Sequence, residues 1–223
     1  MVKSRKKINS RGFSLVELVV AMAVASVVVL LVGSLMTNGS KWFSSENTKV
    51  TIQNELQEIS EQLESAIMET TYLCIDTSDT DVSYVYTGKW NQSENKWTDD
   101  IGTERVIICK GSKLYLRTKK IDKTDIDSQD KGYELSDKVS DFKVNLNNTL
   151  KDWPEGETHS TAGYVVGPVS VNVNVVLTYN KKTMSLSKEI RLRNKMTEIQ
   201  ITDASGNIKT YSVLTRSQAA KYD

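Results

Sequence analysis

The stretch RGFSLVELVVAMAVASVVVLLVGSLM, residues 11–36, opens with a basic residue and a glycine and continues as an apolar run from Phe13 to Met36. The run has 24 residues and one charged side chain, Glu17. A helix of that length rises about 36 Å, enough to cross a hydrocarbon core of about 30 Å with some tilt. The sequence therefore predicts a membrane-spanning helix. Its one anomaly is Glu17, because a charged side chain inside hydrocarbon costs on the order of 3 kcal/mol and is usually functional.

The charge distribution predicts how the chain is oriented. The net charge is +1, from 29 basic and 28 acidic residues. Residues 1–12 hold five basic side chains and no acidic one, so the rest of the chain is mildly acidic. Basic residues before an apolar helix stay in the cytoplasm, so we expect a cytoplasmic N-terminus and an extracytoplasmic remainder. An acidic body also argues against nucleic acid as the main partner.

Two common kinds of apolar N-terminal segment fit this stretch incompletely. A secretory signal peptide has a shorter apolar core that ends in a small-residue cleavage site, whereas TNGSKWF follows the run here. An ordinary signal anchor explains the length and the orientation but not Glu17.

The octapeptide Arg11-Gly12-Phe13-Ser14-Leu15-Val16-Glu17-Leu18 resembles the class III signal of type IV pilins and type II secretion pseudopilins. The resemblance implies that a membrane-embedded prepilin peptidase cuts between Gly12 and Phe13 and that the new amine of Phe13 is N-methylated. It also implies that Glu17 acts in assembly with other pilin or pseudopilin subunits, facing the Phe13 amine of a neighbour. Pairing of Glu17 with the amine of its own chain stays open, because residues four apart are neighbours on a helix.

The helix is predicted to continue beyond the apolar run. Ile52, Leu56, Ile59, Leu63 and Ile67 repeat at helical spacing, with Glu55, Glu58, Glu61 and Glu64 mostly on the other, solvated side. We interpret the stripe as a face packed on a globular head, with a coiled coil as the alternative. The predicted organisation is a leader, 1–12, a membrane-spanning half-helix, 13–36, an amphipathic half-helix, 37–70, and a β-rich head, 71–223. Gly33 and Gly39 are the weak points of the helix.

The head is predicted to consist of strands and turns. The predicted fold is therefore α+β, with a long helix packed on an antiparallel sheet, similar to that of pilins. Strands are predicted at 82–87, from Phe142, and at 169–177, where alternate valines face one way. Hairpins are predicted from 105–109 with 113–117, from 169–177 with 188–193, and from 197–202 with 209–214. Residues 88–102 and 147–167 are predicted to be long polar loops.

The strand pattern over residues 136–194 is loosely similar to that of the J-type minor pseudopilins and W-type minor pilins. This resemblance implies a subunit at the tip of a filament, built into a type IV pilus-like or type II secretion filament and displayed at the cell surface. Two alternatives stay open: a membrane-anchored extracytoplasmic binding domain that does not polymerise, and a major shaft pilin.

The remaining polar residues do not predict an enzyme, a cofactor or a metal site. His159 is the one histidine and has no companion ligand nearby in the sequence. The acidic groups Asp122, Asp125, Asp127 and Asp130, and Asp76, Asp79 and Asp81, lack calcium-loop spacing and are read as solvated. Cys74 and Cys109 are in a compartment that permits a disulfide between them, and two buried thiols are the alternative.

Overall fold

The computed structural model of the chain describes residues 14–76, 82–91, 93–94, 96–98, 105–117, 132–203 and 205–222. It has two compact units, which meet in sequence between Asn47 and Thr48. The long helix predicted from the sequence is present as α1, Leu15–Met68, and it runs through Gly33 and Gly39 without a break. Its predicted start at Phe13 lies outside the described residues.

The first unit consists, in its described part, of the N-terminal half of α1. Every side chain from Ser14 to Ser44 is exposed. The absence of proline from this part of the sequence allows the helix to stay continuous. No described residue of this unit is buried, so its helix lacks any core within the unit.

Over its described residues, the second unit has two main sheets and a small ribbon. The largest sheet has nine described strands in the order β7-β6-β5-β2-β1-β13-β14-β10-β9; the second has the order β12-β11-β8; the ribbon is β3-β4. The neighbours are antiparallel except β1 with β13 and β10 with β14. The α+β class with a large, mostly antiparallel sheet is therefore confirmed. The strands are β1 Leu73–Asp76, β2 Val82–Tyr86, β3 Lys89–Asn91, β4 Lys96–Thr98, β5 Val106–Lys110, β6 Lys113–Arg117, β7 Tyr133–Ser136, β8 Val139–Leu146, β9 Leu150–Lys151, β10 Gly163–Val166, β11 Ser170–Tyr179, β12 Lys182–Arg191, β13 Glu198–Thr202 and β14 Ile208–Leu214, followed by the short helix α2, Arg216–Ala219.

The hairpins predicted from local sequence are all present. β5 and β6 pair across a turn in which Gly111 has a φ of 61°, and β13 and β14 pair across a turn in which Gly206 has a φ of 81°. β11 also pairs with β12, but β12 begins at Lys182 rather than at Lys188. The reason is a two-residue turn in which Asn180 and Lys181 both take positive φ, a turn type that matches the strand twist.

Both predicted polar loops contain strands, and these predictions were wrong. Residues 88–102 include the ribbon β3-β4, and residues 147–167 include β9 and β10. Three of these four strands have two or three residues, too few to show alternation. The fourth, β10, gains its main partner from β14, which lies far along the chain. A Cβ on Gly163 would stand 2.3 Å from the carbonyl oxygen of Lys151, so the close β9–β10 approach requires glycine here.

The C-terminal half of α1 forms one core with both main sheets. Its predicted apolar stripe is buried, with Ile52, Ile59 and Ile67 fully inaccessible to solvent. The stripe joins residues of the large sheet, such as Ile107 and Ile199, and of the three-stranded sheet in a single hydrophobic cluster. The inward valines of β11 predicted from the sequence belong to the same cluster: Val171, Val173 and Val175.

The acidic side of α1 is not wholly solvated, contrary to the prediction. Glu55 is largely buried and accepts hydrogen bonds from Ser136 and from Lys138 Nζ, the latter at 2.9 Å. The bond to Glu55 is the main reason that the pKa of Lys138 is raised. Glu64 accepts a hydrogen bond of 2.7 Å from Lys188 Nζ. Only Glu58 and Glu61 of the four predicted positions remain exposed. A lysine on a neighbouring strand, such as Lys188, or in the turn between two strands, such as Lys138, can therefore hold a glutamate at the margin of the core.

The end of α1 is closed by a segment that follows β12. The N–H of Arg193 donates to the carbonyl of Met68 at 2.9 Å, and the side-chain amide of Asn194 donates to the carbonyl of Glu69. The last carbonyls of a helix lack partners within it, so these bonds satisfy groups that would otherwise need water.

Candidate functional site

The exposed half of α1 is the most unusual surface in the described chain. Its large apolar side chains between Leu15 and Met36 are between 46% and 79% exposed. The most apolar window has a mean hydropathy of 2.9 and no buried residue, and α1 is the one helix of the described residues that is long and apolar enough to cross a membrane. Soluble proteins rarely expose a contiguous apolar surface of this size. Lipid or other protein must therefore cover it.

Two hydroxyl side chains, Ser26 within the apolar stretch and Thr37 directly after it, are satisfied by the helix itself. Ser26 Oγ donates to the carbonyls of Met22 and Ala23 at 2.9 and 2.8 Å. Thr37 Oγ1 donates to the carbonyls of Gly33 and Ser34 at 3.1 and 3.0 Å. Because an unpaired hydroxyl is costly in hydrocarbon, this local bonding makes both residues compatible with a membrane interior.

Glu17 and Ser14 cap the start of α1 reciprocally, in a variant of the capping box in which the Ser14 hydroxyl accepts the N–H of the second helical residue instead of the third. The N–H of Val16 donates to Ser14 Oγ at 3.3 Å, and the N–H of Ser14 donates to Glu17 Oε2 at 3.3 Å. Both bonds satisfy N–H groups that the first turn leaves unpaired, and the carboxylate also complements the positive end of the helix dipole. Glu17 thus has an intrachain role before any leader is cut. The spacing Ser-x-x-Glu in Ser14–Glu17 is the sequence signal for this role, which was not among the predictions.

The other predicted residues of this segment, Gly12 and Phe13, lie outside the described residues. Cleavage between them and N-methylation of Phe13 therefore stay predictions. Glu17 is exposed in the described chain, so its carboxylate remains accessible to a group from outside the helix.

Cys74 and Cys109 are both buried and are not joined by a disulfide. They lie on β1 and β5, which flank β2 on either side, so two strand spacings of about 4.8 Å separate them. They also face opposite sides of the sheet: Cys109 belongs to the main core, and Cys74 to a smaller cluster with Tyr86 and Val106. A disulfide requires Cα atoms within about 7 Å. Of the two alternatives, the structure has two buried thiols.

We expect both thiols to be unreactive in the folded protein and titratable after unfolding without a reductant. Burial, with a smaller contribution from the Asp141 carboxylate, raises the pKa of Cys109 from 9.0 to about 11. Between those pH values the unfolded chain has lost a proton that the folded chain keeps, so stability should fall as the pH rises through this window. Thiol titration with and without denaturant, and unfolding at pH 8 and pH 10.5, measure these effects. In Cys109→Ala the loss of stability between pH 8 and pH 10.5 should be smaller than in the wild-type chain. If the denatured wild-type chain instead titrates two fewer thiols than expected, the two cysteines form a disulfide.

The residues that were not predicted to form a metal or catalytic site have structural contacts where the chain is described. His159 stacks on Trp153 with ring centroids 3.7 Å apart, and its Nε2 lies 2.7 Å from Glu157 Oε2. Asp76 was predicted to be solvated but is buried on β1, at 4% exposure, because β1 is an inner strand of the sheet. Asp79 and Asp81, and the group from Asp122 to Asp130, lie outside the described residues. Among the described residues no group of His, Cys, Asp and Glu could hold a metal ion.

Comparison with known proteins bears on the N-terminal segment alone. No curated protein and no solved structure matches the chain. Residues 7–33 match the family model described as "Prokaryotic N-terminal methylation motif". This range includes Gly12, Phe13, the Ser14–Glu17 capping box and most of the apolar stretch. The motif implies processing by a prepilin peptidase and assembly with other pilins, and together with the exposed apolar helix it fits a membrane-anchored protein. The match supports a type IV pilin-like prepilin signal at the start of this chain.

Proposed function

We propose that this chain is a minor pilin or pseudopilin, a structural subunit of a type IV pilus-like or type II secretion filament and not an enzyme. The observation that carries the proposal is one continuous helix, α1, that begins in the methylation motif, exposes an apolar surface over its first half and buries an apolar stripe in the head over its second half. Such a helix suits a subunit that is stored in a membrane and later packs beside like helices.

Processing is the first step of the proposed function. A prepilin peptidase cuts after Gly12, and the new amine of Phe13 is methylated. The basic residues of the leader keep the N-terminus in the cytoplasm, and the head is extracytoplasmic. The cut creates an ammonium group at the start of the apolar stretch. Because a buried charge must be paired, this ammonium needs a carboxylate when lipid or protein surrounds it.

Glu17 is the carboxylate that we propose for this pairing, on the α1 of a neighbouring subunit. The capping box leaves the side chain exposed, and its bond to the Ser14 N–H uses one carboxylate oxygen, Oε2. Glu17 can therefore keep its capping bond and accept a hydrogen bond from a neighbour's amine through Oε1. Neutralising the pair removes the cost of bringing both groups into the interior of a filament.

Residues 136–194 support a position at the tip of the filament, through their loose similarity to J-type and W-type subunits. A tip subunit occurs once or a few times per filament, whereas a major shaft pilin would be the most abundant component. Counting copies of the chain per filament by quantitative mass spectrometry separates these positions.

Mass spectrometry of the N-terminus of the protein from its host tests the proposed processing. We expect a mature chain that starts at methyl-Phe13. Gly12→Val should leave the leader attached, because a branched side chain crowds the bond that is cut, whereas the matched change Ser10→Val, two residues away, should be processed normally. A final wild-type protein that retains Met1 and its leader would overturn the proposed function and would favour a membrane-anchored domain that does not polymerise.

A further inference from the structure

A second feature of the exposed part of α1 follows the apolar stretch directly. The helix continues through Lys41, Trp42 and Phe43, and the rings of Trp42 and Phe43 are 67% and 68% exposed. The four residues between Met36 and Lys41 that precede them are polar or glycine. Two large aromatic side chains exposed next to each other need a cover, just as the apolar stretch does.

The position of these aromatic residues matches the thickness of a bilayer. Glu17 and Trp42 are 25 positions apart on one continuous helix, which corresponds to about 38 Å. At an ordinary tilt of about 20° the distance along the membrane normal is about 35 Å. The hydrocarbon core is about 30 Å thick and the whole bilayer about 40–45 Å. When the segment from Glu17 to Trp42 is centred in the bilayer, each of these two residues lies about 18 Å from the midplane, and both therefore fall in the interfacial layers, on opposite sides.

The arrangement around the helix favours lipid over a protein partner as the cover. Consecutive residues of an α-helix are about 100° apart, so Lys41, Trp42 and Phe43 together surround more than half of its circumference. A protein groove contacts one face of a helix, whereas an interface contacts all of it. Tryptophan concentrates in interfacial layers because its ring is apolar and its N–H is polar, and lysine extends its amine towards the headgroups.

We propose that Lys41, Trp42 and Phe43 form an interfacial collar, which fixes the depth of α1 in the membrane and thereby holds Glu17 in the opposite interfacial layer. Glu17 is then hydrated while the subunit is stored in the membrane, and the cost of a carboxylate in hydrocarbon is avoided until assembly. This inference rests on the membrane insertion included in the proposed function and not on filament formation.

Quenching of Trp42 by brominated lipids tests the collar. The full chain is reconstituted into phosphatidylcholine vesicles whose acyl chains carry bromine either near the headgroup or near the chain end, and the Trp42 signal is the difference between wild type and Trp42→Phe. We expect shallow bromine to quench this signal at least twofold more than deep bromine. Trp153→Phe is the matched control. Trp153 stacks on His159 in the head, so the fluorescence that is lost in this variant should not be quenched by brominated lipid.

The same vesicles test whether the collar sets the depth of Glu17. A fluorophore attached at Leu15→Cys reports on that end of α1, since the two native thiols are buried. In the wild-type background we expect bromine near the headgroup to quench this fluorophore best. In the double variant Trp42→Ala/Phe43→Ala we expect bromine near the chain end to quench it best. A fluorophore whose quenching is the same in both chains would overturn the proposed control of depth.

The outcomes separate this inference from the proposed function. A chain that stays with the vesicles in alkaline carbonate, but whose Trp42 signal no lipid quenches or deep bromine quenches best, overturns the collar and leaves membrane anchoring intact. A chain that carbonate extracts from the vesicles contradicts membrane insertion itself, and with it the proposed function.

Discussion

Glu17→Gln is expected to lower the incorporation of this subunit into filaments by about a hundredfold or more when it competes with wild-type chains. Glutamine keeps an oxygen that can accept the Ser14 N–H, so the capping box survives. What it loses is the negative charge. Removing one partner of a buried ion pair costs about 3–5 kcal/mol, and each 1.4 kcal/mol is a factor of ten. The measurement is the ratio of variant to wild-type peptide in purified filaments and in the membrane.

Ser14→Ala is the matched control for this prediction. It removes the hydroxyl that accepts the Val16 N–H and leaves the charge of Glu17 in place. Loss of a helix cap costs about 1 kcal/mol, and we expect incorporation close to that of wild type. Glu17→Ala, which removes both functions, should resemble Glu17→Gln. If Ser14→Ala fails to assemble while Glu17→Gln assembles normally, then capping is the role of Glu17 and the proposed pairing is wrong.

The features that could be predicted from the sequence are those set by residues close together in the chain. The apolar run from Phe13 predicts a long exposed helix, and the spacing of Ile52, Leu56 and Ile59 predicts its buried face, because a helix repeats every 3.6 residues. The hairpins at Gly111 and Gly206 are equally local. The same reasoning could have found the capping box, since Ser14 and Glu17 are three residues apart.

The features that could not be predicted depend on partners far along the chain. β1 is a four-residue strand whose parallel partner, β13, starts at Glu198, and β10 pairs in parallel with β14. No local pattern encodes such pairs. The partners of Glu55 and Glu64 are likewise Lys138 and Lys188, which only the folded sheets bring to the helix. Helical periodicity assigns charged residues to solvent and misses these contacts.

The disulfide that the sequence allowed is a second case in which distant parts of the chain decide the outcome. The spacing of Cys74 and Cys109 in sequence and their predicted compartment both allow a bridge. The order of strands decides against it, because β2 lies between β1 and β5 and the two thiols occupy opposite faces of the sheet. The sequence supplies reactive groups, and the long-range topology determines whether they meet.

Leu63→Ala is expected to destabilise the head by about 2–5 kcal/mol. Leu63 is 1% exposed and belongs to the cluster that unites α1 with both main sheets. Truncation removes apolar contacts and leaves a cavity that surrounding strands fill only in part. For a unit of this size the change corresponds to a decrease in Tm of about 5–15 °C. Near-ultraviolet circular dichroism of the full chain in detergent micelles follows the loss of tertiary packing in the head.

Gln62→Ala provides the matched control, because Gln62 precedes Leu63 on α1 and is exposed. Alanine favours a helix, so the Tm of this variant should stay within about 2 °C of wild type. The pair of variants also tests the coiled-coil alternative for the apolar stripe. A stripe that binds a partner helix predicts that Leu63→Ala leaves the Tm of the isolated chain unchanged and weakens only its self-association. A large decrease in Tm at Leu63 with none at Gln62 requires instead that the stripe is part of the head's own core, which leaves the first half of α1 as the surface through which this subunit packs beside others.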